Sequence, residues 1–348
     1  FMKAKRFLAL ILALVMALSL VACGDSGKTP AADGDSNSDG DSSFPKMTWT
    51  AATSGAEGSN FDVGLEKFSE LLQEKTNGAV KLDIYCSDQL TNGNQADSIQ
   101  ANIDGTIDVT FQADGVWGNF DTVFSIPNLP FLFDSYDDVD SKLINGEGGK
   151  YLMNAMNEKF NVKCLGIGEN GFRYLTNSKH PVETPDDLHD LKLRIGGAPI
   201  LVSTYESWGV DYTTAAWAEV YTGLQTKLYD GQENPIAVAD ASSIQEVQKY
   251  VTAWTANYGI MFMVMNGDLY NSLSDELKAI VDECAKEACT YQIQYTRDQC
   301  DSALQKWIDD YGIEVYEMTP ENAELFRAKI QPVYTKFAQY NELIDLLK

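Results

Sequence analysis

The sequence predicts an α/β protein of two lobes, joined by hinge strands and braced by one long helix. Three observations predict it. Helix and strand periodicities alternate along the chain, the rhythm of an open α/β sheet. Two apolar runs, Val162 to Ile167 and Ile260 to Met265, read as strands that carry the chain from one lobe to the other and back. From Ser274 to Tyr311 a helical pattern runs without Gly or Pro; about 37 residues at 1.5 Å each would span ~55 Å, enough to brace both lobes.

The elements follow in order. Ser59-Asn60 caps a helix with apolar residues at Phe61, Leu65, Phe68 and Leu72, and Asn77-Gly78 stops it. Val80, Leu82 and Ile84 alternate with Lys81 and Asp83 as a strand. A helix from about Gln95 to Asp104 ends at Gly105, and Ile107, Val109 and Phe111 alternate again. Thr184-Pro185-Asp186-Asp187 opens a second helix–strand series, with Pro at the first helical position and acids in the first turn. Leu191 to Ile195 reads as a strand, Pro199 to Trp208 as a helix stopped by Gly209, and Thr319-Pro320-Glu321 as the cap of a final helix. The two crossings make each lobe discontinuous: 44–170 plus 260–299 for the first, 171–259 plus 300–348 for the second. Such a hinge suits closure around a ligand.

The N-terminal residues read as an export signal. Lys3, Lys5 and Arg6 precede an uncharged stretch, Phe7 to Ala22, short for a membrane span and ordinary for a secretory signal. It ends in Leu20-Val21-Ala22-Cys23-Gly24, a bacterial lipobox in which Cys23 is lipidated after residues 1–22 are removed. Residues 23–43, rich in Asp, Ser and Gly, form a tether that cannot bury enough surface to fold. Its Asp35-Ser36-Asn37-Ser38-Asp39-Gly40 imitates a calcium loop, but Lys46 stands where the closing Glu is needed. Export permits disulfides, yet Cys86, Cys164, Cys284, Cys289 and Cys300 show no pairing pattern and read as free, small apolar residues.

Composition excludes several functions. Of 348 residues, 26 are Lys or Arg and 51 Asp or Glu, a formal net charge of −25. That argues against nucleic-acid binding and against a basic patch for anionic lipid. The two histidines, His180 and His189, lie in polar loop sequence, and no H-E-x-x-H, G-x-S-x-G, Walker A or dinucleotide glycine motif occurs. No metal or cofactor is expected. An anion can still be held by a few placed cations. Beyond Arg6 the arginines are Arg173, Arg194, Arg297 and Arg327. Arg297 and Arg327 lie on helices near acids, where surface salt bridges suffice. Arg173 and Arg194 lie on strands between apolar neighbours. A buried arginine needs a carboxylate, either an internal Asp or Glu or that of a ligand held bidentately; spacing alone favours the internal partner.

Several stretches then resemble the solute-binding proteins of TRAP transporters, the tripartite ATP-independent family, of the type that binds dicarboxylates and sialic acids. They are Gly171-Phe172-Arg173-Tyr174-Leu175-Thr176-Asn177, Leu191-Lys192-Leu193-Arg194-Ile195, and Ala218-Glu219-Val220-Tyr221-Thr222-Gly223-Leu224-Gln225 running into Asp230-Gly231-Gln232-Glu233-Asn234-Pro235. Gln89-Leu90, Asp104-Gly105-Thr106-Ile107-Asp108 and Leu129-Pro130-Phe131-Leu132-Phe133 also match. The resemblance implies a two-lobed periplasmic-binding-protein-like fold closing on an organic acid, without catalysis, and delivery to a cation-coupled membrane transporter. By motif, Arg194 salt-bridges the ligand carboxylate, Arg173 is a second pocket arginine, Asn234 a pocket asparagine, and Trp217 an aromatic wall. Ser54, Glu57, Asn94, Gln112 and Asn170 fall near first-lobe or hinge contacts. Gln112 also has a physical reason, standing at the carboxyl end of the strand 107–111, where open α/β sheets bind ligands. Gly196-Gly197 and Trp217 depart from the family's usual Pro-Asn and Phe, which leaves a sugar acid, keto acid, dicarboxylate or aromatic acid open. Two alternatives stand beside this: a secreted hydrolase with an unrecognised Asp/Glu pair, and a co-receptor that presents ligand to a sensor kinase.

Overall fold

The computed structural model describes residues 44–348, so the export signal, Cys23 and the tether lie outside the described residues. The chain lays down β1 (Met47–Thr53), α1 (Asn60–Lys75), β2 (Val80–Tyr85), α2 (Gln95–Ile103), β3 (Val109–Ala113), α3 (Glu147–Lys159) and β4 (Val162–Phe172). Arg173 alone separates β4 from β5 (Tyr174–Asn177). Then come β6 (Lys192–Ile195), α4 (Pro199–Trp208), β7 (Asp211–Thr214), α5 (Val220–Gln225), β8 (Gly231–Asn234), α6 (Ile236–Ala241) and β9 (Tyr250–Ala253). The chain returns through β10 (Tyr258–Asn266) and continues into α7 (Asp275–Tyr311), β11 (Glu314–Glu317), α8 (Pro320–Arg327), α9 (Gln331–Lys336) and α10 (Asn341–Leu347). One-turn segments are given below by residue number.

Two sheets result, ordered β2-β1-β3-β10-β4 and β11-β9-β5-β8-β6-β7. In the first, β1 pairs parallel with β2 and β3, while β10 runs antiparallel between β3 and β4. The β4–β5 and β9–β10 passages are the only places among the described residues where consecutive strands change sheet without an intervening helix. Every residue of β10 is buried, as expected of a strand covered on both faces.

The bracing helix α7 has 37 residues; the Ser274 hydroxyl accepts from the Leu277 N–H at its start, and Gly312 ends it with φ of 64°. It packs on α1 and β4 at one end and on α6 at the other. Close contact with β4 requires glycine there: a Cβ on Gly168 would lie 2.4 Å from Phe111 and 2.6 Å from Gln292 Oε1.

Several elements differ from expectation. No strand was expected at Met47–Thr53, yet β1 lies inside the sheet between β2 and β3; its buried Ala51 and Ala52 contribute little hydrophobic pattern. The helix expected after Thr184 is a single 3-10 turn, Pro185–Leu188, with the capping box formed but β6 following at once. Ser59 stands at the N-cap of α1, but its side chain makes no capping hydrogen bond. The helix capped by Thr319 is not the last. The terminal α10 buries Leu343, Ile344 and Leu347 in the cluster that holds Leu152 and Met156 of α3, so this end of segment 300–348 rests on the first sheet's side.

Arg297 also differs. It is not a surface pair but donates to Glu169 of β4 from Nε (2.9 Å) and Nη2 (2.7 Å), and to Asp140 (2.6 and 2.9 Å), with its guanidinium 4.4 Å from the Tyr136 ring. Glu169 is fully buried and also accepts from the Tyr258 hydroxyl at 2.9 Å. Removing one partner of a buried pair strands the other charge. Arg297→Met should therefore lower stability by ~3–5 kcal/mol. Arg327→Met, which breaks the exposed pair with Asp134, should cost under ~1 kcal/mol. Guanidinium denaturation of both variants measures the contrast; equal losses would mean that Glu169 is not held by Arg297.

Candidate functional site

A cavity of about 540 Å³ lies between the two sheets. The first sheet supplies Ser54 after β1, Asn60 and Phe61 at the start of α1, and Asp114 after β3. The hinge supplies Asn170 and Arg173, and the second sheet Arg194, Gly196, Gly197, Trp217 and Asn234. These are mostly strand ends and the turns that leave them, where α/β sheets form ligand crevices. The two sides approach closely: a Cβ on Gly115 would lie 3.4 Å from that of Ala198.

The two arginines are in unlike states. Arg173 has an internal partner, buried Glu233. Its Nε and Nη2 donate to the two carboxylate oxygens, the latter at 3.0 Å, and Nη2 also donates to Asn234 Oδ1 at 2.8 Å. Glu233 also receives the Gly196 N–H at 3.1 Å. Arg194 is equally buried, at 5% exposure, but among the described residues it has no carboxylate partner. Its Nε and Nη2 donate to the Ala215 carbonyl at 3.1 and 2.5 Å, and its guanidinium lies 5.6 Å from the Trp217 ring centre. Burial pushes its pKa down to about 10; the attraction of Glu233 opposes this and the repulsion of Arg173 adds to it. At neutral pH it keeps its charge, and among the described residues Nη1 has no acceptor. This is a buried cation whose solvation is incomplete, the condition in which an anion binds best.

The other expected residues divide. Asn234 is at the cavity, with both ends of its amide used: Oδ1 by Arg173 and Nδ2 by Gln232 Oε1 at 2.8 Å. Trp217 forms a wall between this cavity and a side chamber of about 160 Å³. Asn170 lines the cavity, and its Oδ1 lacks a partner. Ser54 lines it as well. Asn94 reaches it while exposed and capping α2, its Oδ1 accepting from the Ala96 and Asp97 N–H groups.

Gln112 and Glu57 do not reach the cavity. Gln112 is buried on the other face of β3 and donates to Asp88 Oδ1 at 2.6 Å, because β3 ends at Ala113 rather than at 111 and alternation turns 112 away. Glu57 is exposed in the turn before α1.

Residues the sequence reasoning missed are Asn60, Asp114 and Asn128. Asn60 is 2% exposed with both side-chain polar atoms unpaired. Asp114 accepts from Asn128 Nδ2 at 2.6 Å, the Ile260 N–H at 3.1 Å and the Gly115 N–H at 2.7 Å. Placing the strand end two residues later would have pointed to Asp114 by the same argument that chose Gln112. Burial pushes its pKa up to about 7, against the Ile260 N–H and Arg173, which favour the anion.

These features define a class first: a receptor with a cleft between two α/β lobes, holding a buried cation. Among the described residues no group of three His, Cys, Asp or Glu side chains could hold a metal ion. Residues 51–340 match the family described as bacterial extracellular solute-binding protein, family 7, and the chain belongs to that family. It is 33% identical over 256 residues to the 2,3-diketo-L-gulonate-binding periplasmic protein YiaO of Escherichia coli, covering 73% of this chain and 76% of that protein. Two solved TRAP periplasmic solute-binding proteins superpose with a TM-score of 0.81 and 28% identity. One is from Ralstonia eutropha with bound (S)-2-acetolactate (86% of this chain, 97% of that one). The other is from Polaromonas with D-erythronate (87% and 98%). The chain is thus an extracytoplasmic solute receptor of the TRAP type and not an enzyme, which sets the hydrolase alternative aside.

The Asp114 value has a consequence for stability. Its folded pKa of about 7 exceeds the ordinary 3.8. Between those values the folded state binds a proton that the unfolded state has released, so stability falls as pH rises through that window. Burial acts in the same direction on Asp88, Asp108 and Glu169. The guanidinium midpoint should therefore be higher at pH 5.5 than at 7.5, and Asp114→Asn should shrink that difference without abolishing it. An unchanged difference would show that Asp114 ionises normally.

Proposed function

We propose that the receptor captures a small organic acid by seating its carboxylate on Arg194 and delivers it to a cation-coupled TRAP membrane transporter. The observation that carries this is the asymmetry of the two buried arginines. Arg173 is satisfied by Glu233, whereas Arg194 donates only to the Ala215 carbonyl. The acids named for the relatives above, a diketogulonate, an acetolactate and an erythronate, support the same chemistry here. Arg173, its charge offset by Glu233, holds Asn234 in place. Trp217 offers an apolar face beside the Arg194 guanidinium. Ligand draws lobes 44–170 plus 260–299 and 171–259 plus 300–348 together about the two strand passages. Cys23, acylated after cleavage, holds the receptor on the outer face of the membrane; two acyl chains suffice for stable anchoring.

The binding claim is tested by calorimetric titration with a hydroxy acid and its amide. Loss of one partner of a buried charge pair typically costs ~2–5 kcal/mol, so Arg194→Ala should weaken acid binding by roughly 30-fold to several thousand-fold. Arg194→Lys should recover only part, lacking the planar fork. Trp217→Ala should weaken binding but leave the preference for acid over amide intact. Wild-type affinity in a folded Arg194→Ala variant would end the carboxylate-clamp reading.

The anchor is tested separately. Cys23→Ser in the native host should move the protein from the membrane fraction to the soluble one; unchanged partitioning would refute lipidation at Cys23.

A further inference from the structure

The first-sheet wall of the cavity has a composition that the carboxylate clamp does not explain. It brings together Ser59, Asn60, Asp114, Asn128 and Asn170. All five are at least nine-tenths buried. Unpaired polar atoms are concentrated there: Ser59 Oγ, both ends of the Asn60 amide, Asn128 Oδ1 and Asn170 Oδ1. Each of these atoms exposes less than 1 Å², so a ligand reaches them only as the wall shifts on closure; a buried polar atom without a partner is costly, and several in the residues of one wall favour a bound state that completes them.

The wall is rich in acceptors. Asn128 donates its Nδ2 to Asp114, which fixes the orientation of its amide and leaves Oδ1 as an unused acceptor. The Asp114 carboxylate receives three hydrogen bonds, one fewer than its two oxygens can take. Hydroxyl groups can donate to such a wall. A carboxylate cannot, because when ionised it only accepts. The charges lead to the same conclusion: Glu233 offsets Arg173, Arg194 is left for one ligand carboxylate, and Asp114 would face a second one with like charge in a poorly screened site.

We propose that Asp114 is a specificity-determining residue: with Asn128 and Asn170 it takes hydroxyls of a polyhydroxy monocarboxylate and rejects the second carboxylate of a dicarboxylate. This rests on the receptor reading above. It assigns Arg194 to the acid end of the ligand and the first-sheet wall to its hydroxylated end.

Aldonate and aldarate pairs test it, since they differ only in whether the far terminus is a hydroxymethyl or a carboxylate. Calorimetric titration uses several stereoisomers of four and six carbons at pH 8, where Asp114 and both ends of the aldarates are ionised. Wild type should bind its preferred aldonate at least ~10-fold more tightly than the matching aldarate. Asp114→Asn should cut that ratio by ~10-fold or more, and Asp114→Glu, which keeps the charge, should retain a preference for the aldonate. Asn128→Ala should weaken the aldonate without admitting the aldarate. Equal wild-type affinity for both partners of a pair overturns the proposal even where a variant fails to fold, and so does an unchanged ratio in a folded Asp114→Asn variant. If no member of the panel binds while another class of acid does, this proposal falls and the seating of a carboxylate on Arg194 stands; binding of the panel that is unchanged in Arg194→Ala removes that seating instead, and binding with the wrong ratio removes this proposal alone.

Discussion

Two guanidinium groups are buried at one cleft, and the described residues supply an internal carboxylate for only one of them. Taking a charge out of water costs several kcal/mol unless a partner compensates. Glu233 compensates Arg173. Arg194 receives a carbonyl dipole, an aromatic ring at 5.6 Å and the more distant pull of Glu233, which together leave its pKa depressed. In the proposed seating, an external carboxylate would remove the remaining penalty. Anion selectivity would then arise in a chain with a formal net charge of −25, because an unpaired buried cation acts locally while the long-range field is screened by salt over about 10 Å.

The rest of the structure keeps that imbalance in place. β6 holds Arg194 and β8 holds Glu233 in adjacent parallel strands, with Arg194 paired to Gln232 in register. Arg173 occupies the one position between β4 and β5, so the residue that bonds Glu233 is also the point where the chain changes sheets. On the other side, β10 lies between β3 and β4, and its Ile260 N–H anchors Asp114. The α7 helix ties the two sides together: Gln292 and Arg297 hold β4, while Trp307 donates to Asp240 at the end of α6. A ligand between the sheets would thus meet groups whose positions are set by the strand passages, the arrangement that the proposed closure requires.

Local signals made much of the fold legible. Ser274, Gly209 and Gly312 mark helix boundaries through caps that a few residues determine, and the two apolar runs located the strand passages. β1 was hidden, since Ala51 and Ala52 are selected by neighbours on β2 and β3 that periodicity does not reveal. Within the site, Arg194, Arg173, Asn234 and Trp217 were found through motifs, and all line the cavity. The motif match assigned the ligand to Arg194, but spacing alone did not reveal which arginine has an internal partner, because Glu233 lies 60 residues from Arg173. Gln112 failed because the strand continues through it to Ala113: inside a strand it lies on the face opposite Ala113, which lines the cavity, and its amide goes to Asp88. Asn60 was read only as part of a helix start; it does begin α1, and it also lines the cavity with both polar side-chain atoms buried and unpaired.

The most direct measurement of the central claim is a crystal structure of the receptor with a bound hydroxy acid. The account predicts the ligand carboxylate within hydrogen-bonding distance of the Arg194 guanidinium, with Arg173 still joined to Glu233. A carboxylate seated elsewhere in the cleft, with Arg194 bonded only to the Ala215 carbonyl, would contradict it.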